Sequence, residues 1–260
     1  MLDLNGRHAL VCGASKGIGR AAALAIAELG AEITVLARSE GPLAELVEEL
    51  LAQGATAARY LVADLDDHDG LIASLSDHLH RHGPIHIVVN NTGGPPGGPL
   101  LNAEPAAIMA ALNRHIIATH LIMQTVLPGM REAGFGRFIQ VLSTSVREPI
   151  PNLGVSNLTR AAVASWAKTL SRELPPGVTI NNVLPGFTDT QRLGELGTGI
   201  AARTGKTMDE VRAGWLAQVP EGRLAEPSEL GAVIAFLASP AASFVRGTSI
   251  PVDGGRLRSI

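Results

Sequence analysis

The chain has 260 residues, 46% of them hydrophobic, a length that suits one large α/β domain or two small ones. Its 21 basic and 24 acidic residues give a formal net charge of -3 without long runs of like charge, so nucleic acid and anionic membranes are not expected partners. The single cysteine excludes an internal disulfide, and the absence of a signal-peptide pattern or an apolar run of about 20 residues predicts a cytoplasmic protein with no membrane-spanning helix.

Short β-rich runs alternate with longer helical patterns along the chain. The predicted strands cover residues 8–13, 32–38, 58–65, 86–91, 136–143, 178–186 and 248–255. The predicted helices cover residues 19–30, 43–54, 68–82, about 105–130, the segment after Pro151, and 227–238. This alternation is typical of a parallel sheet with helices on both faces. No linker or repeat interrupts it, so we expect one doubly wound α/β domain of the Rossmann type over residues 1–260.

A glycine-rich segment, GASKGIG, follows the first predicted strand and opens the first helix. Glycines in such a loop let the backbone approach a pyrophosphate, and the helix N-terminus supplies free N–H groups. The residues expected to contact a dinucleotide here are Gly13, Ser15, Lys16, Gly17, Ile18 and Gly19. Arg38 ends the second strand, where an acidic residue would otherwise bind a ribose hydroxyl. Together Lys16 and Arg38 predict recognition of a 2′-phosphate, hence NADP(H) rather than NAD(H).

Six motifs in order make the sequence resemble the classical short-chain dehydrogenase/reductase family over nearly its whole length. They are GASKGIG, the DL pair at 64–65, NNTGG at 90–94, LPGFTDT at 184–190, GRLAEPSEL at 222–230 and VDGG at 252–255. The resemblance implies that Asp64 and Leu65 lie near the adenine and that Asn90 stabilises the central sheet. It also implies that four residues flank the nicotinamide, namely Pro185, Gly186, Thr188 and Thr190.

The family's four catalytic positions, a serine, a tyrosine, a lysine and an asparagine, are only partly kept. Ser143 takes the serine position, but Ser156 stands in place of the tyrosine and Arg160 in place of the lysine. The asparagine position falls on His115, or on Asn113 if the helix register shifts. The pattern Ser-x-x-x-Arg therefore indicates a divergent subgroup, whose similarity labels of oxoacyl-carrier-protein reductase say little about the reaction.

Neither missing side chain is expected to be replaced from elsewhere. The chain's one tyrosine, Tyr60, lies in the predicted third strand, far from the active-site helix. Lys168 lies eight residues past Arg160, about 12 Å along a helix axis. We therefore expect no tyrosine or lysine at the site.

The remaining chemistry depends on three kinds of side chain. A serine hydroxyl such as that of Ser156 is a poor acid, and Arg160 stays protonated, so Arg160 cannot serve as a base. Arg160 can still act as a fixed cation toward a ribose, a carboxylate or a developing oxyanion. Ser143 and Ser156 can orient a carbonyl oxygen, or simply cap a helix. His115 has a side chain whose ordinary pKa suits proton donation, although a packed helix histidine is an equal alternative.

Three functions follow from these residues. The first is an NADP(H)-dependent oxidoreductase acting on a carbonyl or alcohol, of the 3-oxoacyl-reductase type, with residues 191–220 as a substrate lid. The second is a catalytically silent dinucleotide-binding or regulatory homologue. The third, a non-redox enzyme like the related halohydrin dehalogenases, is disfavoured because those enzymes lack the glycine-rich loop.

The partners expected are a small-molecule substrate and further copies of the chain. Helices in the regions 105–130 and 156–172 carry apolar faces beyond what one sheet face needs, which predicts a homodimer or homotetramer. The histidines of DHLHRHGPIH, residues 77–86, are expected at the surface and not in a metal site. The segment GGPPGGPL is expected to form a stiff loop over the cofactor.

Overall fold

The computed structural model describes residues 2–259 and has a seven-stranded, entirely parallel sheet at its centre. The strands are β1 His8–Cys12, β2 Glu32–Ala37, β3 Ala58–Val62, β4 Ile87–Asn91, β5 Gly136–Val141, β6 Val178–Pro185 and β7 Ser249–Val252, in the spatial order β3-β2-β1-β4-β5-β6-β7. The helices are α1 Gly17–Ala27, α2 Glu40–Ala52, α3 His68–His82, α4 Pro105–Leu112, α5 Ala118–Glu132, α6 Gly154–Glu173, α7 Gln191–Thr204, α8 Met208–Leu216 and α9 Pro227–Ala238. The predicted doubly wound α/β fold is confirmed.

The core has two layers because the inner strands of the sheet, such as β1, are buried on both faces. In β1, Ala9 and Val11 point to the layer formed by α1, α2 and α9, while Leu10 and Cys12 point to the layer formed by α3, α5 and α6. This alternation follows from the two-residue period of a strand. Strands covered on both faces read as nearly continuous apolar runs, which is why β1 was recognisable from sequence.

The candidate site lies where the strand order reverses. β1 pairs with β2 on one side and with β4 on the other. The chain therefore continues from β1 toward one edge of the sheet and from β4 toward the other edge, so the loops after these two adjacent strands run in opposite directions. In open parallel sheets the crevice outside the carboxyl ends at such a switch point is the usual ligand-binding position. The loops after β5 and β6 open at the same edge, because all seven strands are parallel.

One helical segment is both long and apolar. α4, a π-helical turn at Asn113–Ile117 and α5 run continuously over Pro105–Glu132, close to the predicted helix at about 105–130. An 18-residue stretch of it has a mean hydropathy of 1.3, which by length and composition alone would suffice to cross a membrane but is equally typical of a core helix. In this structure the side chains of Ile122, Val126 and Met130 pack in the core layer beneath the sheet. That packing explains the apolar residues of α5.

The expectation that all histidines of residues 77–86 lie at the surface is wrong for His78. His78 is buried and, like His8, contacts the Thr34 hydroxyl, with Nε2–Oγ1 distances of 3.0 Å and 2.8 Å respectively. Burial lowers the pKa of His8 to about 3 and that of His78 to about 4. The reason is helical periodicity: His78 shares the inward face of α3 with Leu71 and Leu75.

Candidate active site

The loop after β1 is shaped for close approach of a ligand to its backbone. Gly13 and Gly17 have positive φ angles of 60° and 58°, a conformation that glycine adopts without steric cost. A Cβ atom at Gly13 would collide with the Asn91 carbonyl oxygen, and one at Gly19 would collide with the Gly13 carbonyl oxygen. The glycines predicted from the motif are therefore required by the packing of this loop.

The first turn of α1 offers backbone donors that no side chain occupies. Lys16 stands at the N-cap without a side-chain cap hydrogen bond, and the first turn contains no acidic residue. Ile18 packs against the core and fixes the start of the helix, while Ser15 is half-buried in the preceding turn. The free N–H groups and the positive end of the helix dipole suit a pyrophosphate.

The two basic residues predicted to share a phosphate lie in different surroundings. Lys16 Nζ donates to Gln191 Oε1 of α7 at 2.8 Å, so it links the glycine-rich loop to the start of α7. Arg38 is exposed and makes no hydrogen bond to residues 2–259, and its charge helps to lower the pKa of Asp66 beyond β3. The structure therefore leaves Arg38 free for a ligand but does not join it to Lys16.

The neighbouring residues predicted near the adenine lie in the turn after β3. Asp64 Oδ1 accepts from the Asp66 backbone N–H at 3.0 Å and thereby fixes the turn. Leu65 packs against the core layer of α3 and α5. Asp66 forms an ion pair with Arg114, which lowers the pKa of the Asp66 carboxyl. These contacts give the end of β3 a rigid, polar edge.

The asparagine that supports the glycine-rich loop is Asn91 rather than Asn90. Asn91 Nδ2 donates to the Gly13 carbonyl at 3.1 Å and so connects the ends of β4 and β1. Asn90 is buried in β4, and its Nδ2 has no hydrogen-bond partner in the described residues. Sequence reasoning missed Asn91, although the repeated asparagine in NNTGG marks both positions.

The loop after β6 carries the four residues predicted to flank the nicotinamide. Pro185 ends β6, and the Gly186 N–H donates to the Val252 carbonyl at 3.0 Å. Thr188 is buried, and Thr190 caps α7 by accepting from the Leu193 N–H at 3.3 Å. The start of α7 therefore lies beside the glycine-rich loop. A Cβ atom built at Gly17 would lie only 3.2 Å from Thr190 Cγ2.

The two candidate serines differ in their local bonds. Ser143 follows β5, and its Oγ accepts from the Ser145 N–H at 3.0 Å, which is a local cap. Ser156 lies in the first turn of α6, is buried, and its Oγ makes no hydrogen bond to residues 2–259. Neither hydroxyl is bonded to a base, so neither is activated as an acid or a nucleophile.

Arg160 is held by backbone carbonyl groups at the ends of two strands. Its Nη1 donates to Val141 O at 3.0 Å, and its Nη2 donates to Thr92 O at 3.4 Å. Burial, and then the charge of Arg192, lower the pKa of the Arg160 guanidinium to about 10. It stays protonated at pH 7, so the position at which the sequence analysis expected the family lysine holds a fixed, half-buried cation.

Of the two residues at the asparagine position, His115 faces the site. Asn113 is exposed, whereas His115 is buried in the π-helical turn with its Nε2 3.1 Å from the Gly93 carbonyl. Because a carbonyl only accepts, Nε2 must carry the proton. Burial, and then the charge of Arg160, lower the pKa of His115 to about 3, so it is neutral at pH 7. Of the two alternatives that the sequence left open for His115, the packed helix histidine is favoured over the proton donor.

The expectation about Tyr60 and Lys168 agrees with the structure. Tyr60 lies in the edge strand β3 at the far side of the sheet, and its hydroxyl donates to Glu40 Oε1 at 2.7 Å. Lys168 Nζ donates to the Gly247 carbonyl at 2.9 Å. Neither side chain is available to the site.

A cavity of about 370 Å³ lies beside His115, between α4 and the proline-rich loop that follows β4. Its lining includes Pro95, Pro99, Ala107, Arg114 and His115. The loop is pinned by a bond between the Gly98 N–H and Asn152 O at 2.7 Å. Apolar walls with a few polar groups are typical of small-molecule sites.

Comparison with known proteins gives matches over nearly the whole chain. A family model described as enoyl-(acyl carrier protein) reductase matches residues 13–256. The 3-oxoacyl-(acyl-carrier-protein) reductase FabG of Pseudomonas aeruginosa is 34% identical over 99% of this chain and 100% of its own length. L-sorbose reductase from Gluconobacter frateurii, complexed with NADPH and L-sorbose, has a TM-score of 0.93 at 26% identity and covers 100% and 99% of the two chains. An actinorhodin polyketide ketoreductase with NADPH has a TM-score of 0.91 at 27% identity, covering 97% and 98%.

Proposed function

The chain belongs to the classical short-chain dehydrogenase/reductase family, and we propose that it is an NADP(H)-dependent oxidoreductase that interconverts a carbonyl and an alcohol on a small molecule. The observation that carries this proposal is the intact dinucleotide cradle at the carboxyl end of β1. There Asn91 holds the Gly13 carbonyl, side chains at Gly13 and Gly19 are sterically forbidden, and the first turn of α1 is free of caps.

The cofactor choice is supported by the solved relatives that contain NADPH and by the exposed guanidinium of Arg38. We propose that Arg38 binds the 2′-phosphate and that Lys16 screens the phosphates from the side of α7. The residues proposed to hold the rest of the cofactor are Gly13, Ser15, Gly17, Ile18, Gly19, Asp64, Leu65, Asn90, Pro185, Gly186, Thr188 and Thr190. When bound, the nicotinamide would supply or accept the hydride.

The proposed substrate site is atypical because it has a fixed cation and no side-chain acid suited to neutral pH. Arg160 is aimed by two backbone carbonyl groups, so it can stabilise negative charge that develops on a carbonyl oxygen without reorganising. Ser156 retains a free hydroxyl that can orient that oxygen. His115 is neutral and bonded to Gly93 O, so we propose that water delivers the proton and that His115 fixes the loop after β4.

Segment 191–220 is proposed to close over the substrate as a lid. Its helix α7 is tied to the cofactor loop by Lys16 and to the loop after β4 by Arg192, whose Nη2 donates to Pro95 O at 2.8 Å. A lid with such polar latches excludes water while the reaction proceeds.

A second candidate function is dinucleotide binding without turnover, in a partner or regulatory role. It is favoured by one observation: the side chains of Ser156, Arg160 and His115 include no group that would donate a proton readily at pH 7. The two functions differ in one measurement. Purified protein is titrated with NADPH, and NADPH consumption is then followed against ketones, quinones and acyl thioesters. An oxidoreductase consumes NADPH with at least one class, whereas a silent homologue binds NADPH and consumes none.

We also propose that the protein assembles as a homodimer or homotetramer. The side chains of Met109 on α4, Ile117 in the π-helical turn and Leu158 on α6 are 56%, 41% and 40% exposed. α4 and α6 pack against one another, so these apolar side chains lie on neighbouring elements. A second copy of the chain would remove them from water.

A further inference from the structure

Two guanidinium groups approach the same glycine at the edge of the candidate active site. A Cβ atom at Gly94 would lie 3.4 Å from Arg192 Nη2 and 3.6 Å from Arg160 Nη2. Arg160 comes from α6, and Arg192 comes from the first turn of α7. The absence of a side chain at Gly94 leaves room beside both groups.

Within residues 2–259, no buried carboxylate balances the two positive charges beside Gly94. Arg160 binds only the backbone carbonyl groups of Val141 and Thr92, which carry no net charge. Arg192 has one acidic neighbour, Glu195, whose Oε2 lies 3.8 Å from Arg192 Nη1. Both side chains of that pair are about half exposed, and exposed pairs of this kind contribute little. Two cations held this close favour binding of an anion between them.

Both guanidinium groups also retain unused donors. A guanidinium has five N–H groups in a planar fork. Arg192 uses one of them for the Pro95 carbonyl, and Arg160 uses two for Val141 and Thr92. The remaining N–H groups match the two oxygens of a carboxylate, which guanidinium groups bind in a bidentate manner.

We propose that the substrate carries a carboxylate and that this group binds between Arg160 and Arg192 beside Gly94. The inference rests on the proposed oxidoreductase function and names its substrate class, an oxo- or hydroxycarboxylate. Arg160 then has two roles, since it binds the carboxylate and also stabilises negative charge on the neighbouring carbonyl oxygen. Arg192 acts in specificity, and its bond to Pro95 O holds its guanidinium beside the loop after β4.

The test compares carboxylic acids with their methyl esters, which keep the carbonyl and lose the charge. Pyruvate, acetoacetate and levulinate, each paired with its methyl ester, are titrated by calorimetry into protein loaded with NADP⁺. The best acid is expected to bind about tenfold or more tightly than its ester, as charge-assisted hydrogen bonds predict. Arg192→Gln should remove most of this preference, and Arg192→Lys should restore part of it. Arg203→Gln, at an exposed position of the same helix, should leave it unchanged.

The outcomes separate this inference from the function on which it rests. If NADP⁺ binds but no acid is preferred over its ester at any chain length, the carboxylate site is overturned and the oxidoreductase proposal stands. If Arg192→Gln lowers NADP⁺ affinity instead, Arg192 serves the cofactor and the inference is wrong. If the unaltered protein binds neither NADP⁺ nor NADPH, the proposed function itself fails.

Discussion

His115 should stay neutral near pH 7, and its cost to the stability of the folded chain in acid can be calculated. Its pKa is about 3 in the folded chain against an ordinary value of 6.5, mainly because the ring is buried. Between pH 6.5 and pH 3, His115 is protonated in the unfolded chain and neutral in the folded chain. The free energy of unfolding therefore falls as the pH falls through this range. At about 1.4 kcal/mol per pH unit below 6.5, this one residue removes about 2 kcal/mol at pH 5.

The variant His115→Asn isolates that contribution, because asparagine is polar and does not titrate. Urea unfolding is followed by tryptophan fluorescence at pH 7 and pH 5. The free energy of unfolding should fall between pH 7 and pH 5 by about 2 kcal/mol less in His115→Asn than in the unaltered protein. His8 and His78 also lower the free energy of unfolding in acid, but they do so in both proteins, so their contributions cancel in the comparison. His80→Asn, at an exposed position of α3, is the matched control and should not change the pH dependence. An equal loss in His115→Asn and the unaltered protein would refute the assignment, as would a rate profile whose inflection near neutral pH disappears in His115→Asn.

Three further outcomes are expected. NADPH should bind more tightly than NADH by fluorescence titration, and Arg38→Ala should lower NADPH affinity about tenfold or more while leaving NADH affinity unchanged; equal affinities for the two cofactors would contradict this. Ser156→Ala should cost about fivefold in rate, whereas Arg160→Gln should cost about a hundredfold or more; abolition of activity by Ser156→Ala, with fold and cofactor affinity intact, would contradict the account of α6. Light scattering at micromolar concentration should show a dimer or tetramer that Leu158→Asp weakens, and a monomeric unaltered protein would be the opposite result.

Much of the fold was predictable because it depends on periodicities that the sequence carries. The predicted helices at 68–82 and 227–238 coincide with α3 and α9, and each β-rich run became a strand of the sheet. His78 was misjudged because its polar neighbours outweighed its place on the inward face of α3. The predicted helix at about 105–130 corresponds to the segment Pro105–Glu132, whose charged and polar residues interrupt the apolar run without ending the helix.

The candidate site was less predictable, since it is formed by contacts between distant segments. Sequence motifs located the glycine-rich loop, but the side chain that supports it, Asn91, is separated from Gly13 by 78 residues. Arg160 of α6 and Arg192 of α7 meet beside Gly94, and no local pattern encodes the meeting of residues from these distant segments. Likewise, the low pKa of His115 arises from its burial and from a charge on another helix. Spacing along α5 gave the position of this histidine but not its protonation state.

Transfer of deuteride from labelled NADPH tests the central claim most directly. The protein is incubated with NADPH carrying deuterium on the nicotinamide and with ketones, oxocarboxylates, quinones and acyl thioesters, and the products are analysed by mass spectrometry. The account predicts an alcohol that carries one deuterium on the former carbonyl carbon, and its formation should fall about a hundredfold or more in Arg160→Gln. Stoichiometric binding of NADPH with no deuterium in any product would contradict it and favour the silent, dinucleotide-binding alternative.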